Sequence, residues 1–74
     1  MAVYNNVAVV QTFASSDPQN AWANIAGPGW LKIKPGAADG VTNLFVLFNA
    51  AKANGKLVIV NTDAANQITY AYMV

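Results

Sequence analysis

Few residues in this sequence can carry chemistry. The 74 residues include no Cys, His, Arg or Glu, and the carboxylates are Asp17, Asp39 and Asp63 alone. Thiolate and imidazole metal ligands are therefore missing. A nucleophilic triad would have to use Lys as its base, and paired-carboxylate catalysis would have to be assembled from three Asp side chains. The composition argues against an enzyme and against any bound cofactor. The side chains left for function are amides, hydroxyls, four Lys and the two tryptophans Trp22 and Trp30. These are binding chemistries. Side-by-side donors and acceptors suit sugar hydroxyls, and an aromatic face stacks on the apolar face of a sugar ring or a base.

Short amides, hydroxyls and carboxylates stand together in two loops, Ser15, Ser16, Asp17, Gln19 and Asn20, then Asn61, Thr62, Asp63, Asn66 and Gln67. Both clusters also read as ordinary turns, since Asp-Pro and Asn-Thr-Asp make turns in any context. Lys32, Lys34, Lys52 and Lys56 balance the three acids to a net charge of +1. With no Arg and no basic run, nucleic acid is a poorly supported partner. Asp39 reads as a helix cap.

The elements that must position these residues follow from the punctuation. Val3 to Ala14 reads as a long strand. Gln19 to Ala26 alternates, with Ala21, Ala23 and Ile25 on one face and Asn20, Trp22 and Asn24 on the other. Trp30 to Lys34 alternates too, with Leu31 and Ile33 opposing Trp30, Lys32 and Lys34. A three-residue loop, Gly27-Pro28-Gly29, makes all apolar positions of this hairpin agree, setting Ala26 against Trp30 and Ile25 against Leu31. Its outer face then carries both Trp, Asn24 and Lys32. A helix is expected over about 39–54, N-capped by Asp39 and stopped at Gly55. Its apolar residues Val41, Leu44, Phe45, Leu47, Phe48 and Ala51 span roughly 160°, wider than the ~100° stripe of a surface helix, with Val46 nearly opposite. Lys56 to Asn61, with four consecutive apolar residues, reads as a strand buried on both faces. In the last strand, Ile68, Tyr70, Tyr72 and Val74 are expected on one face and Thr69, Ala71 and Met73 on the other.

This gives the order β-β-β-α-β-β in one domain, residues 1–74, a β-rich α+β chain. That is the element order of a five-stranded OB-fold barrel, with a split sheet under a covering helix as the alternative. An OB-fold presents its ligand on the β2–β3 face and the loops after β1 and β4, here Trp22, Asn24, Trp30 and Lys32 with Ser15, Ser16, Asp17, Asn20, Asn61 and Asp63.

Size and composition add a constraint. Charged residues are 9% of the chain and hydrophobic ones 55%, against roughly 25% and 45–50% in ordinary domains. A domain of this length rarely stands on its own core, and with no Cys or metal ligands oligomerisation is the remaining support. The wide helix arc and the two-faced last strand place the expected interface at Leu44, Phe45, Val46, Leu47, Phe48, Tyr70 and Tyr72. The longest apolar run, Leu44 to Phe48, is five residues, far short of the ~20 of a membrane-crossing helix. The start Met-Ala-Val-Tyr-Asn-Asn has no leader pattern, so the expectation is a cytosolic chain or a mature secreted one with a replacement Met.

The stretch Asp39-Gly-Val-Thr-Asn-Leu-Phe-Val-Leu-Phe-Asn-Ala-Ala-Lys-Ala-Asn-Gly-Lys-Leu-Val-Ile-Val-Asn-Thr-Asp63 resembles the central part of Shiga-type toxin B subunits. There a helix ends in a polar-Gly turn and runs into a Val/Ile strand and a final hairpin strand. The match is one of architecture and size, and the first half agrees in strand order only. The resemblance implies a secreted or periplasmic homopentamer, with helices lining the pore and edge strands of neighbours paired. It further implies a lectin-like, carbohydrate-binding subunit working with a separate catalytic chain. The sequence departs from that family in lacking its disulfide. No sugar-contacting residue carries over.

Overall fold

The computed structural model describes residues 2–74 and, except at residue 38, their side chains. Five strands form one antiparallel sheet: β1 (Ala2–Ala14), β2 (Ala21–Ile25), β3 (Gly29–Lys32), β4 (Leu57–Thr62) and β5 (Ile68–Met73), with one helix, α1 (Ala38–Asn54). The strand order is β3-β2-β1-β4-β5. The fold is thus a β-rich α+β sheet with a covering helix. The sheet does not close into a barrel. Its two outer strands touch at one parallel bridge, Ile33 to Ile68, where the Lys34 N–H donates to the Ile68 carbonyl at 2.9 Å.

β1 is the spine, because it pairs with β2 through its second half and with β4 through its first. Two irregularities bend it. The register slips between Tyr4 and Val7, where Asn6 sits at φ 53°, and again between Val9 and Gln11. Each slip adds one residue to the strand, and each added residue reverses which face the following side chains take. The core-facing residues therefore fall at Tyr4, Val7, Val9 and Thr12, an irregular spacing that simple alternation misses.

The core lies between the inner sheet face and α1. Val9, Ala23, Ile25, Leu31, Ile33, Val58, Val60 and Ile68 come from the sheet, and Val41, Phe48 and Ala51 from the helix. The helix packs on β1, β2 and β5, and Thr12 Oγ1 donates to Asn49 Oδ1 at 2.6 Å, fastening it to the spine. The only buried polar side chain among the described residues is Thr62, whose hydroxyl donates to the Ala2 carbonyl.

Several expectations are corrected. The helix begins one residue early. Ala37 is its N-cap, with no side-chain cap bond, and Asp39 lies inside the first turn, where a carboxylate still complements the helix dipole. Gly55 ends the helix as expected, at φ 63°. The β2–β3 hairpin pairs Trp22 with Lys32, Ala23 with Leu31, Asn24 with Trp30 and Ile25 with Gly29. The register is two residues from the expected one, and the Ile33 N–H accordingly donates to the Ala21 carbonyl at 2.9 Å, while the Ala26 N–H turns to the Ala8 carbonyl of β1 at 3.0 Å. An even shift leaves every face as expected. β4 buries one face only: Val58, Val60 and Thr62 are buried, while Leu57 is exposed and Ile59 half-buried. In β5 the register slips at Thr69, so Ile68 points into the core while Tyr70 and Tyr72 point out, each 51% exposed.

Candidate binding face on the outer sheet

The outer face of β1–β2–β3 is built by its register. Phe13 stands opposite Trp22, and Trp22 opposite Lys32. Gln11 stands opposite Asn24, and Asn24 opposite Trp30. Two rows of three side chains result. Phe13, Trp22 and Trp30 line an open recess of about 410 Å³. Phe13 and Trp30 are about half exposed, at 48% and 47%, a costly display of aromatic surface in a chain this small.

The polar side chains around the recess are held in fixed positions. The Trp22 indole N–H donates to Asn20 Oδ1 at 2.9 Å, Asn20 Nδ2 donates to Ser15 Oγ at 2.8 Å, and Ser15 Oγ donates to Asp17 Oδ2 at 3.1 Å. The Asp17 N–H returns a bond to Ser15 Oγ, and Ser15 and Asn20 also pair through their backbones. This chain of bonds fixes the Trp22 ring. In the second row Asn24 Nδ2 donates to Gln11 Oε1 at 3.1 Å, and the Gln11 amide N–H groups and Asn24 Oδ1, with no partner among the described residues, stand as adjacent donor and acceptor. Lys32 Nζ lies 5.8 Å from the Trp22 ring centroid, within reach of a cation–π attraction.

The structure thus sets Trp22, Asn24, Trp30 and Lys32 on one face, while Ser15, Asp17 and Asn20 are joined to it through the Trp22–Asn20 bond and line a separate cleft with Val41, Thr42 and Phe45. Ser16 is exposed in the same turn. Asn61 and Asp63 do not join them. They belong to the β4–β5 hairpin, where Asn61 Nδ2 donates to Thr69 Oγ1 at 2.7 Å. Asp63 Oδ1 accepts the N–H groups of Ala65 and Gln67, and Asp63 Oδ2 pairs with Lys34 at 3.3 Å. The Gln67 N–H first, then Lys34 and the Ala65 N–H, hold the Asp63 carboxyl below its ordinary value of 3.8, outweighing the opposing desolvation. Asp63 is in this way committed to its turn.

Phe13 and Gln11 were not legible as site residues. Without the slip after Val9, both would share the core face with Val9. The slip turns them outward. Of the expected interface residues, Phe48 is fully buried within its own chain and cannot meet a neighbour; Leu44, Phe45 and Leu47 are half-buried against the same core. Val46, at 60%, and the tyrosines Tyr70 and Tyr72 stay exposed.

Among the described residues no cluster of three or more carboxylates is placed to hold a metal, and no helix is long and apolar enough to cross a membrane. No protein-family model, curated protein or solved structure matches the chain.

Proposed function

We propose that the chain is a non-enzymatic carbohydrate-binding module that works as a homo-oligomer, a ring of five by its resemblance to Shiga-type toxin B subunits. The single observation that carries the binding role is the outer face of β1–β3. Three aromatic rings surround an open recess beside a paired amide row, with one ring locked by a hydrogen-bonded network. Rigid exposed aromatics with adjacent amides provide both halves of sugar recognition, stacking for the apolar ring face and paired donors and acceptors for hydroxyls.

The finer fold reading belongs to the same proposal. The Ile33–Ile68 bridge joins the two outer strands of the sheet in parallel, which supports an open barrel of the OB type, and such barrels take oligosaccharides on their β2–β3 face. The oligomer is supported by a second apolar surface. Val3, Leu57, Tyr70, Tyr72 and Val74 are each more than 40% exposed along β1, β4 and β5, and beyond the Ile68 bridge the outer edge of β5 has no partner strand among the described residues. Secretion and a separate catalytic chain rest on the resemblance alone.

Binding to a glycan array, read beside native mass spectrometry, tests both parts. The expected result is a pentamer that binds a defined set of glycans, with binding lost in Trp22→Ala. A monomer at micromolar concentration overturns the ring. A blank array with an intact ring leaves a structural assembly in place of a lectin.

A further inference from the structure

Resting on the carbohydrate reading, we infer that the glycan carries an acidic group, a carboxylate or sulfate, and that Lys32 receives it. Lys32 is half-buried in the outer face, directly opposite Trp22, with its ammonium 5.8 Å from the ring. Lys34, the next lysine in the chain, is already neutralised by Asp63 at 3.3 Å, and this is the sole ion pair among the described residues. The three carboxylates of the chain are placed elsewhere. Asp63 closes the β4–β5 turn, Asp39 lies in the first turn of α1, and Asp17 stands at the far end of the Ser15–Asn20 bonds that lead away from the Trp22 ring. The aromatic recess is therefore bordered by one positive charge whose only described partner is a π-face.

A ring quadrupole holds an ammonium weakly, whereas a carboxylate takes it in a short charge-assisted hydrogen bond. A neutral sugar stacking in the recess would have to leave Lys32 without improvement over water. An acidic sugar seats its apolar face among Phe13, Trp22 and Trp30, places hydroxyls on Gln11 and Asn24, and exchanges the cation–π contact for an ion pair. The number of charges separates this ligand from nucleic acid. A strand of phosphates presents one charge per nucleotide and calls for a row of cations. This face has Lys32 alone, since Lys52 is in the last turn of α1 and Lys56 precedes β4.

The test is an array of matched pairs that differ in the acidic group, namely methyl glucuronide against methyl glucoside, methyl galacturonide against methyl galactoside, and galactose 6-sulfate against galactose. It is probed with the full chain and with Lys32→Gln and Lys32→Arg, each checked for its fold by circular dichroism. The expected result is at least one pair in which the acidic member binds about tenfold better. That preference falls away in Lys32→Gln, returns in Lys32→Arg, and weakens in 0.5 M salt. Equal binding of acidic and neutral members overturns the acidic ligand, and an acidic preference that survives Lys32→Gln overturns Lys32 as its receptor; both leave the carbohydrate reading standing. Binding to none of the sugars overturns both, and capture of oligothymidylate in preference to every sugar moves the face to single-stranded nucleic acid.

Discussion

Trp22 donates its indole N–H to Asn20 Oδ1 at 2.9 Å, so the residue in the middle of the aromatic recess is oriented by the turn that precedes its own strand. That turn is itself closed by Ser15 and Asp17. Asn20→Ala breaks the link without touching any ring of the recess. The expected outcome is a glycan affinity lowered by a factor of about 5–10, from a lost hydrogen bond of roughly 1 kcal/mol, with thermal stability changed by far less than Trp22→Ala changes binding. Titration of the two variants against the best array ligand checks this. Unchanged affinity in Asn20→Ala would mean that the ring needs no anchor.

Phe48 is the largest fully buried side chain, and it comes from the helix face that covers the sheet. Phe48→Ala is expected to cost about 3–5 kcal/mol, which approaches the whole stability available to a domain of this size. Phe48→Asp, which would bury an unpaired charge, is expected not to fold at all. Urea unfolding followed by circular dichroism measures both. A folded Phe48→Asp protein would show that α1 is able to leave the sheet.

The contrast between Trp22 and Phe13 shows what sequence periodicity carries and what it does not. Ala21, Ala23 and Ile25 alternate with Trp22 and Asn24 without interruption, so the faces of β2 are readable, and a register error of two residues left them unchanged. Phe13 follows a run of four apolar residues, Val7 to Val10, in which the extra residue at the slip has no chemical signature. The slip exists because β1 must pair with β2 and β4 while bending between them, a tertiary demand. The same holds at Thr69, which separates inward Ile68 from outward Tyr70. Asn6, at φ 53°, is the one slip marked by a residue that tolerates the left-handed region. The amide and hydroxyl residues were legible as turns. Which turn serves the aromatic face was not, because Asn61 and Asp63 have the same composition as Ser15 to Asn20 and differ only in what they are bonded to.

Asp63 gives the fold a predicted acid sensitivity. Its carboxyl is held below 3.8 by the Gln67 and Ala65 N–H groups and by Lys34. A depressed folded-state value means that the ionised form favours folding: the contribution is complete above the ordinary value and disappears as pH falls through the lower folded one. Stability is therefore expected to drop below about pH 4. Asp63→Asn keeps an oxygen for the two backbone N–H groups and loses only the charge, so it should flatten the acid limb with a small effect at pH 7. Asp63→Ala also loses the turn bonds and should destabilise more at pH 7. Thermal melts between pH 2.5 and pH 7 check this, and an acid limb unchanged in Asp63→Asn would place the sensitivity elsewhere.

Tyr72 stands opposite Ile59 on the outward side of the β5 edge and is 51% exposed, so it contributes little to its own core. If the exposed residues of β4 and β5 form the contact between subunits, Tyr72→Lys introduces repeated like charges around a closed ring while leaving the monomer fold untouched. The expected outcome is a protein with native circular dichroism and a melting free energy within about 0.5 kcal/mol of an unassociated parent, but with a native mass shifted from oligomer to monomer. The aromatic recess lies on the other half of the sheet, built from β1, β2 and β3. Monomeric Tyr72→Lys should therefore still bind glycan with the affinity of a single site and lose only the gain from multivalency. An oligomer that survives Tyr72→Lys would move the interface away from β5, towards Val46 on the outer side of α1.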